Sequence, residues 1–214
     1  MNTSIQQRNS LYTLSEEIGN CLTHGLAAVI SVWGIIMLIN LTEGRPWETA
    51  AVLIYGISML ILFSMSSLYH GITNVRAKKI LRSLDHSSIF ILIAGTYTPF
   101  TLITLRGTVG WILFGIVWSI AIFGIFLNLI SVERFKKISM CCYIASGWCI
   151  LTAIVPLSRS LSVNGLLLLM LGGIFYTSGL LFYRLKTPYM HMTWHFFVLA
   201  GALTHFFSVY YHVI

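Results

Sequence analysis

Seven stretches of predominantly apolar residues, each close to twenty long, run through this chain between short polar or turn-forming breaks. A helix rising 1.5 Å per residue needs roughly twenty such residues to cross a hydrocarbon core about 30 Å thick. The stretches fall at 20–41, 49–70, 84–105, 109–130, 139–157, 163–183 and 191–212. Between them stand Glu43-Gly44-Arg45-Pro46, the polar segment 74–79, Arg106-Gly107, the charged segment 133–137, residues 158–162, and 184–188 with its Pro188. Backbone polar groups find no water in lipid and must pair within their own segment, so each apolar stretch is expected as a helix. The expected fold is all-α, an integral membrane bundle of seven transmembrane helices. Pro99, inside the third span, is expected to kink it. Gly95, Gly115, Gly124, Gly147, Gly172, Gly173 and Ala200-Gly201-Ala202 are expected where helices approach closely.

Composition excludes a soluble alternative. The chain is 57% hydrophobic and 9% charged, against about 25% charged in a typical soluble domain. Seven spans with short loops leave no residues for a second domain among the 214. The expectation is a polar N-terminal segment at 1–19 and one membrane domain at 20–214. No short apolar segment with a small-residue cleavage site precedes the first span, so no cleaved signal peptide is expected. The four cysteines, Cys21, Cys141, Cys142 and Cys149, form no C-x-x-C pair and read as reduced packing residues, with a ligand role left open for Cys141 and Cys142.

Charge gives the direction. Arg8, Arg76, Lys78, Lys79, Arg82, Arg134, Lys136, Lys137, Arg184 and Lys186 fall on one side of the expected bundle, and Arg45, Arg106 and Arg159 on the other. The positive-inside rule then puts the N-terminus in the cytoplasm and the C-terminus outside. The net charge of +7 reads as orientation and contact with anionic headgroups, not nucleic-acid binding.

This direction gathers the unusual polar residues near one face. The second span ends at His70, the third begins at Asp85, the chain's only aspartate, and the seventh begins at His191 and His195. An ionised carboxylate at membrane depth costs several kcal/mol unless it has a partner. His191 and His195, at i and i+4, share one helical face and can bind one ion. With His70 they make three imidazoles, the number of protein ligands a catalytic zinc typically takes, leaving a position for water. Asp85 then has two open roles, a fourth ligand or a general base toward that water, and the second is favoured because it is the only acidic side chain inside the spans. Ser66 lies one turn before His70 and could bond the water, Asp85 or a substrate carbonyl, or simply its own helix. A polar network that glues helices is the alternative for the whole set. His86 follows Asp85 directly and so points elsewhere. His205 reads as an interhelical hydrogen-bonder, and His24 as a partner to a ligating ring or, with Glu16, Glu17 and Asn20, as lining of the mouth. Thr13-x-x-Glu16 is a possible capping box for the first helix.

Several segments carry a resemblance: Glu16-Glu17-Ile18-Gly19-Asn20 with Thr23-His24-Gly25, Ser66-Ser67-Leu68-Tyr69-His70, Leu84-Asp85-His86, the run 94–100, and His191-x3-His195 with His205 beyond. Together they resemble the hemolysin III family, within the wider progestin and adipoQ receptor superfamily, itself related to alkaline ceramidases. The resemblance implies seven helices and a Zn²⁺ ion near the cytoplasmic side. It implies His70, His191 and His195 as ligands, and Asp85 and Ser66 about the water. It implies membrane lipids as partners and possible substrates, and the plasma (inner) membrane of a bacterium as the location.

Three functions follow as expectations. The first is an intramembrane zinc hydrolase acting on a lipid amide or ester. The second is a non-enzymatic membrane protein with zinc, a sensor or a contributor to membrane homeostasis. The third is the pore-forming cytolysin that the family's name suggests. The third fits the sequence poorly, because a secreted toxin must first be soluble and seven apolar spans insert in the membrane of the cell that makes them.

Overall fold

The computed structural model describes residues 12–214; Arg8, counted above for the positive side, lies with the rest of 1–11 outside the described residues. Among the described residues the chain is all-helical, without a strand. Its α-helices are α1 (Leu14–Leu41), α2 (Pro46–Gly71), α3 (Val75–Pro99), α4 (Thr108–Gly147), α5 (Ile154–Ser160), α6 (Val163–Arg184) and α7 (Met190–His212). Six helical runs among the described residues are long and apolar enough to cross a membrane, with Thr108–Ser160 counting as one run of 53 residues.

That long run is where sequence and structure differ. The apolar pattern separates 109–130 from 139–157, yet helix continues through both. The backbone is extended only at Ser131 (φ −168°, ψ 113°). The Ser131 hydroxyl accepts the N–H of Arg134 at 3.3 Å, as an N-cap does. This restarts the helix at once, so the charged residues 133–137 are helical rather than a loop. A 3₁₀ stretch, Cys149–Ala153, then leads into α5.

Caps also move the helix starts. Thr13 closes a capping box with Glu16, whose Oε2 accepts the Thr13 N–H at 2.9 Å, so α1 begins at Leu14 rather than 20. Asn74 accepts the N–H groups of Arg76 and Ala77, both at 3.1 Å. With that cap the basic turn 76–82 becomes helical, and α3 starts nine residues ahead of its apolar part. Pro99 ends α3 and the backbone widens into a π-turn, Phe100–Thr104, closed by the Leu105 N–H on the Phe100 carbonyl at 2.9 Å. The missing proline N–H gives the expected distortion this form.

Helices adjacent in sequence pack together: α1 on α2, α2 on α3, α3 on α4, and α6 on α7. α7 then returns against α1, bringing the first and last helices together. Outer faces are apolar, as at Leu26, Val29, Ile30 and Trp33 of α1, whereas Asn20, His24 and Ser31 of the same helix are buried. Lipid as solvent favours this arrangement, because polar side chains are costly on the hydrocarbon side. Aromatic and aliphatic groups such as Tyr55, Phe90, Phe100, Val117 and Val209 fill the rest of the interior.

Close approach is selective. A Cβ on Gly124 would stand 2.0 Å from the Phe90 ring, and one on Gly172 would stand 2.2 Å from the His205 ring. Gly115 and Gly147, expected to act alike, have no such neighbour within 4 Å.

Candidate metal centre

α2 ends and α7 begins at the same end of the bundle, and α1 starts beside both. One ring nitrogen from each of His70, His191 and His195 lies within 4.8 Å of the others. His70 Nε2 and His191 Nε2 are 3.2 Å apart. Two imidazole nitrogens bound to one tetrahedral zinc at about 2.05 Å would lie roughly 3.3 Å apart. His195 is fully buried, and its Nε2 has no hydrogen-bond partner among the described residues. A buried ring nitrogen left unpaired costs about 1–3 kcal/mol, a penalty that a bound cation removes. The three residues match a zinc ion in number and donor type, and the His70–His191 pair also in spacing.

The surrounding hydrogen bonds assign the tautomers. His70 Nδ1 lies 2.5 Å from Glu17 Oε2 on α1. The carboxylate can only accept, so Nδ1 carries the proton and Nε2 keeps its lone pair. Thr23 donates to the Asn20 carbonyl at 2.9 Å, and its oxygen lies 3.1 Å from His195 Nδ1. With the hydroxyl proton engaged, Nδ1 must donate, which leaves the lone pair of His195 on its unpartnered Nε2. Such partners orient ligating histidines and raise their basicity.

Asp85 is buried, and Ser66, itself buried on α2, has its side chain beside the Asp85 carboxyl. Ser66 is one turn, about 6 Å of helix axis, from His70 on the same face. Asp85 is not among the groups whose ligand atoms cluster within 4.8 Å. Asp85 is therefore outside the cluster of three rings.

Other sequence expectations are met in part. His205 Nε2 donates to the Leu169 carbonyl of α6 at 3.0 Å, an interhelical bond as expected. His86 Nδ1 bonds its own helix at the Arg82 carbonyl, 2.9 Å away, and lies 3.7 Å from Asp85 Oδ2. His24 makes no side-chain hydrogen bond to any of the three clustered rings among the described residues; it stacks on His195, and Glu17 and Thr23 supply the hydrogen bonds. All four cysteines are free, and none belongs to the cluster. Lys78, counted from sequence only as a cytoplasmic charge, donates to Glu17 Oε1 at 2.7 Å. No local pattern predicts that contact, since the two residues are 61 apart in the chain.

A family model described as Haemolysin-III related matches residues 12–206. The chain belongs to that family. It is 45% identical over 204 residues to "Hemolysin-3" of Bacillus cereus, a match covering 94% of this chain and 93% of that one. It is 43% identical over 207 residues to "Hemolysin-3 homolog" of Bacillus subtilis (strain 168), covering 95% and 97%. A more distant match, 27% over 206 residues, is to "Monocyte to macrophage differentiation factor" of Homo sapiens, covering 92% of this chain and 84% of that one. That human relative supports the wider progestin and adipoQ receptor superfamily. The chain's own apolar helices, together with these haemolysin-III relatives, make it an integral membrane protein.

Proposed function

We propose that this haemolysin-III family member is an intramembrane zinc-dependent hydrolase of a lipid amide or ester. The observation that carries the reading is the unpartnered, fully buried Nε2 of His195 in a cluster with two other imidazoles. Zinc held by His70, His191 and His195 would act as a Lewis acid and bring the pKa of a water toward about 7. Asp85 accepts the proton of the attacking water, and the Ser66 hydroxyl holds the Asp85 carboxylate in place for that transfer. Glu17 and Thr23 keep His70 and His195 in the tautomers that present Nε2. Burial of the site among apolar helices favours a substrate that arrives from the bilayer.

The same reading includes seven crossings, the N-terminus in the cytoplasm, and residence in a bacterial plasma membrane. Thr108–Ser160 would span about 80 Å as straight helix at 1.5 Å per residue, far beyond one bilayer core. The break at Ser131 divides it into two crossings. Purified protein loaded with zinc is the test, presented with a panel of lipid amides and esters. Turnover that requires both zinc and Asp85 supports the hydrolase. Zinc bound at one ion per chain, with no turnover across the panel, replaces it with the structural-zinc reading.

A further inference from the structure

Glu17 holds two partners at once, each from a different helix. Its Oε2 lies 2.5 Å from His70 Nδ1 of α2, and its Oε1 accepts from Lys78 Nζ of α3 at 2.7 Å. The Lys78 ammonium also donates to the Ile72 carbonyl at 3.3 Å and lies 5.2 Å from the centre of the Tyr69 ring. It is therefore held at the end of α2 as well as on α1. The Glu17 side chain is 11% exposed and that of Lys78 is 25% exposed, so water competes weakly for either.

A carboxylate gripped on one oxygen can rotate about its terminal torsion, which is broad and roughly two-fold. Gripped on both, it cannot. The orientation of Glu17 then fixes the plane of the His70 ring, and so the direction of the Nε2 lone pair. Lys78 and Asp85 are seven residues apart on α3, about two turns, which brings them back to nearly the same face. The face of α3 that Lys78 ties to α1 and α2 is therefore the face that carries Asp85 to Ser66.

We infer that Glu17 and Lys78 are a positioning pair, in which Lys78 locks the Glu17 carboxylate, Glu17 aims His70 at the ion, and the same contact seats α3 with Asp85 against Ser66. Lys78 touches no ligating ring; it acts through Glu17. The inference rests on the proposed three-histidine zinc site.

The test uses the full chain in detergent. Zinc affinity is read by chelator competition, the visible spectrum of the cobalt-substituted protein reports ligand geometry, and thermal unfolding is followed without metal. Glu17→Gln is expected to weaken zinc binding roughly 10–100-fold, the usual range for an outer-shell partner. Lys78→Met is expected to weaken it by about tenfold at the lower end of that range and to alter the cobalt spectrum. Added to Glu17→Gln, Lys78→Met is expected to cost nothing further, and Lys78→Arg to restore binding. Should Glu17→Gln fail to fold, Glu17→Asp keeps the charge, shortens the reach, and is expected to lose affinity too. Equal losses from Lys78→Met in both backgrounds, or a lower unfolding temperature with wild-type affinity and spectrum, would overturn the inference. Wild-type protein that takes up neither zinc nor cobalt overturns the metal reading itself. Wild-type protein that binds both, with both variants matching it, overturns the positioning pair alone.

Discussion

The ring of His24, on α1, lies flat on the ring of His195, on α7, with centroids 3.6 Å apart and planes 9° from parallel. Both side chains are almost wholly buried. Thr23 and His24 are neighbours on α1, and between them they fix His195 by a hydrogen bond at Nδ1 and by contact across the ring face.

His24→Ala removes that contact and leaves a cavity beside the ring. Zinc affinity is expected to fall by about tenfold, within the range seen for outer-shell losses. His24→Phe keeps a flat ring against His195 and is expected to fall less. Chelator competition on the two purified variants gives the comparison; equal losses would show that stacking is not what positions His195.

His191→Ala removes one of the three proposed zinc ligands. Wild-type protein is expected to carry one zinc per chain, and the variant far less than one, by elemental analysis of matched preparations. Stripping the wild type with a chelator should also lower its unfolding temperature. A ligand at 100 times its Kd stabilises the state it binds by about 2.7 kcal/mol.

Asp85→Asn separates binding from chemistry. The side chain keeps its shape and a hydrogen-bonding oxygen for Ser66 but can no longer take a proton. Zinc content is expected to stay at the wild-type level while lipid hydrolysis falls by at least about 100-fold, the usual contribution of a general base. Full activity in the variant would remove Asp85 from the mechanism.

Gly110→Ala tests the turn after Pro99. A Cβ there would stand 2.0 Å from the Thr101 carbonyl oxygen and 2.5 Å from that of Leu105, both backbone atoms that cannot swing aside. Destabilisation of at least about 1–3 kcal/mol is expected, as for other overpacked sites. Gly115→Ala, with nothing within 4 Å, is expected to be neutral or to stabilise by up to about 1 kcal/mol. Thermal unfolding of the pair in one detergent checks the contrast.

Glu16→Ala cuts two ties. Glu16 completes the capping box of α1, and its Oε1 accepts the N–H of Tyr189, a residue with φ of +62° at the start of α7. A loss of about 1–2 kcal/mol is expected from the cap and the unpaired N–H together. Because the Tyr189 bond sets how α7 meets α1, zinc affinity should fall as well; a drop in stability with unchanged affinity would restrict Glu16 to capping.

Apolar stretches of crossing length determined by themselves that this chain is a helical membrane protein, because lipid leaves the backbone no other way to pair its polar groups. The spacing of His191 and His195 on one helix, with His70 and Asp85 at the ends of others, also marked the candidate site. Local chemistry was less legible at helix ends. Ser131 restarts a helix through a run of charges that reads as a loop, and Asn74 draws a basic turn into α3, since a single cap outweighs the weak preferences of a few residues. Only the tertiary structure decided what surrounds the three rings. Glu17 and Thr23, not a hydrogen bond from His24, set the tautomers, and Lys78 reaches Glu17 from a third helix. These contacts join residues far apart in the chain, where no periodicity operates, and they form because the closing of α7 on α1 removes the site from water, where buried polar groups gain from pairing with one another.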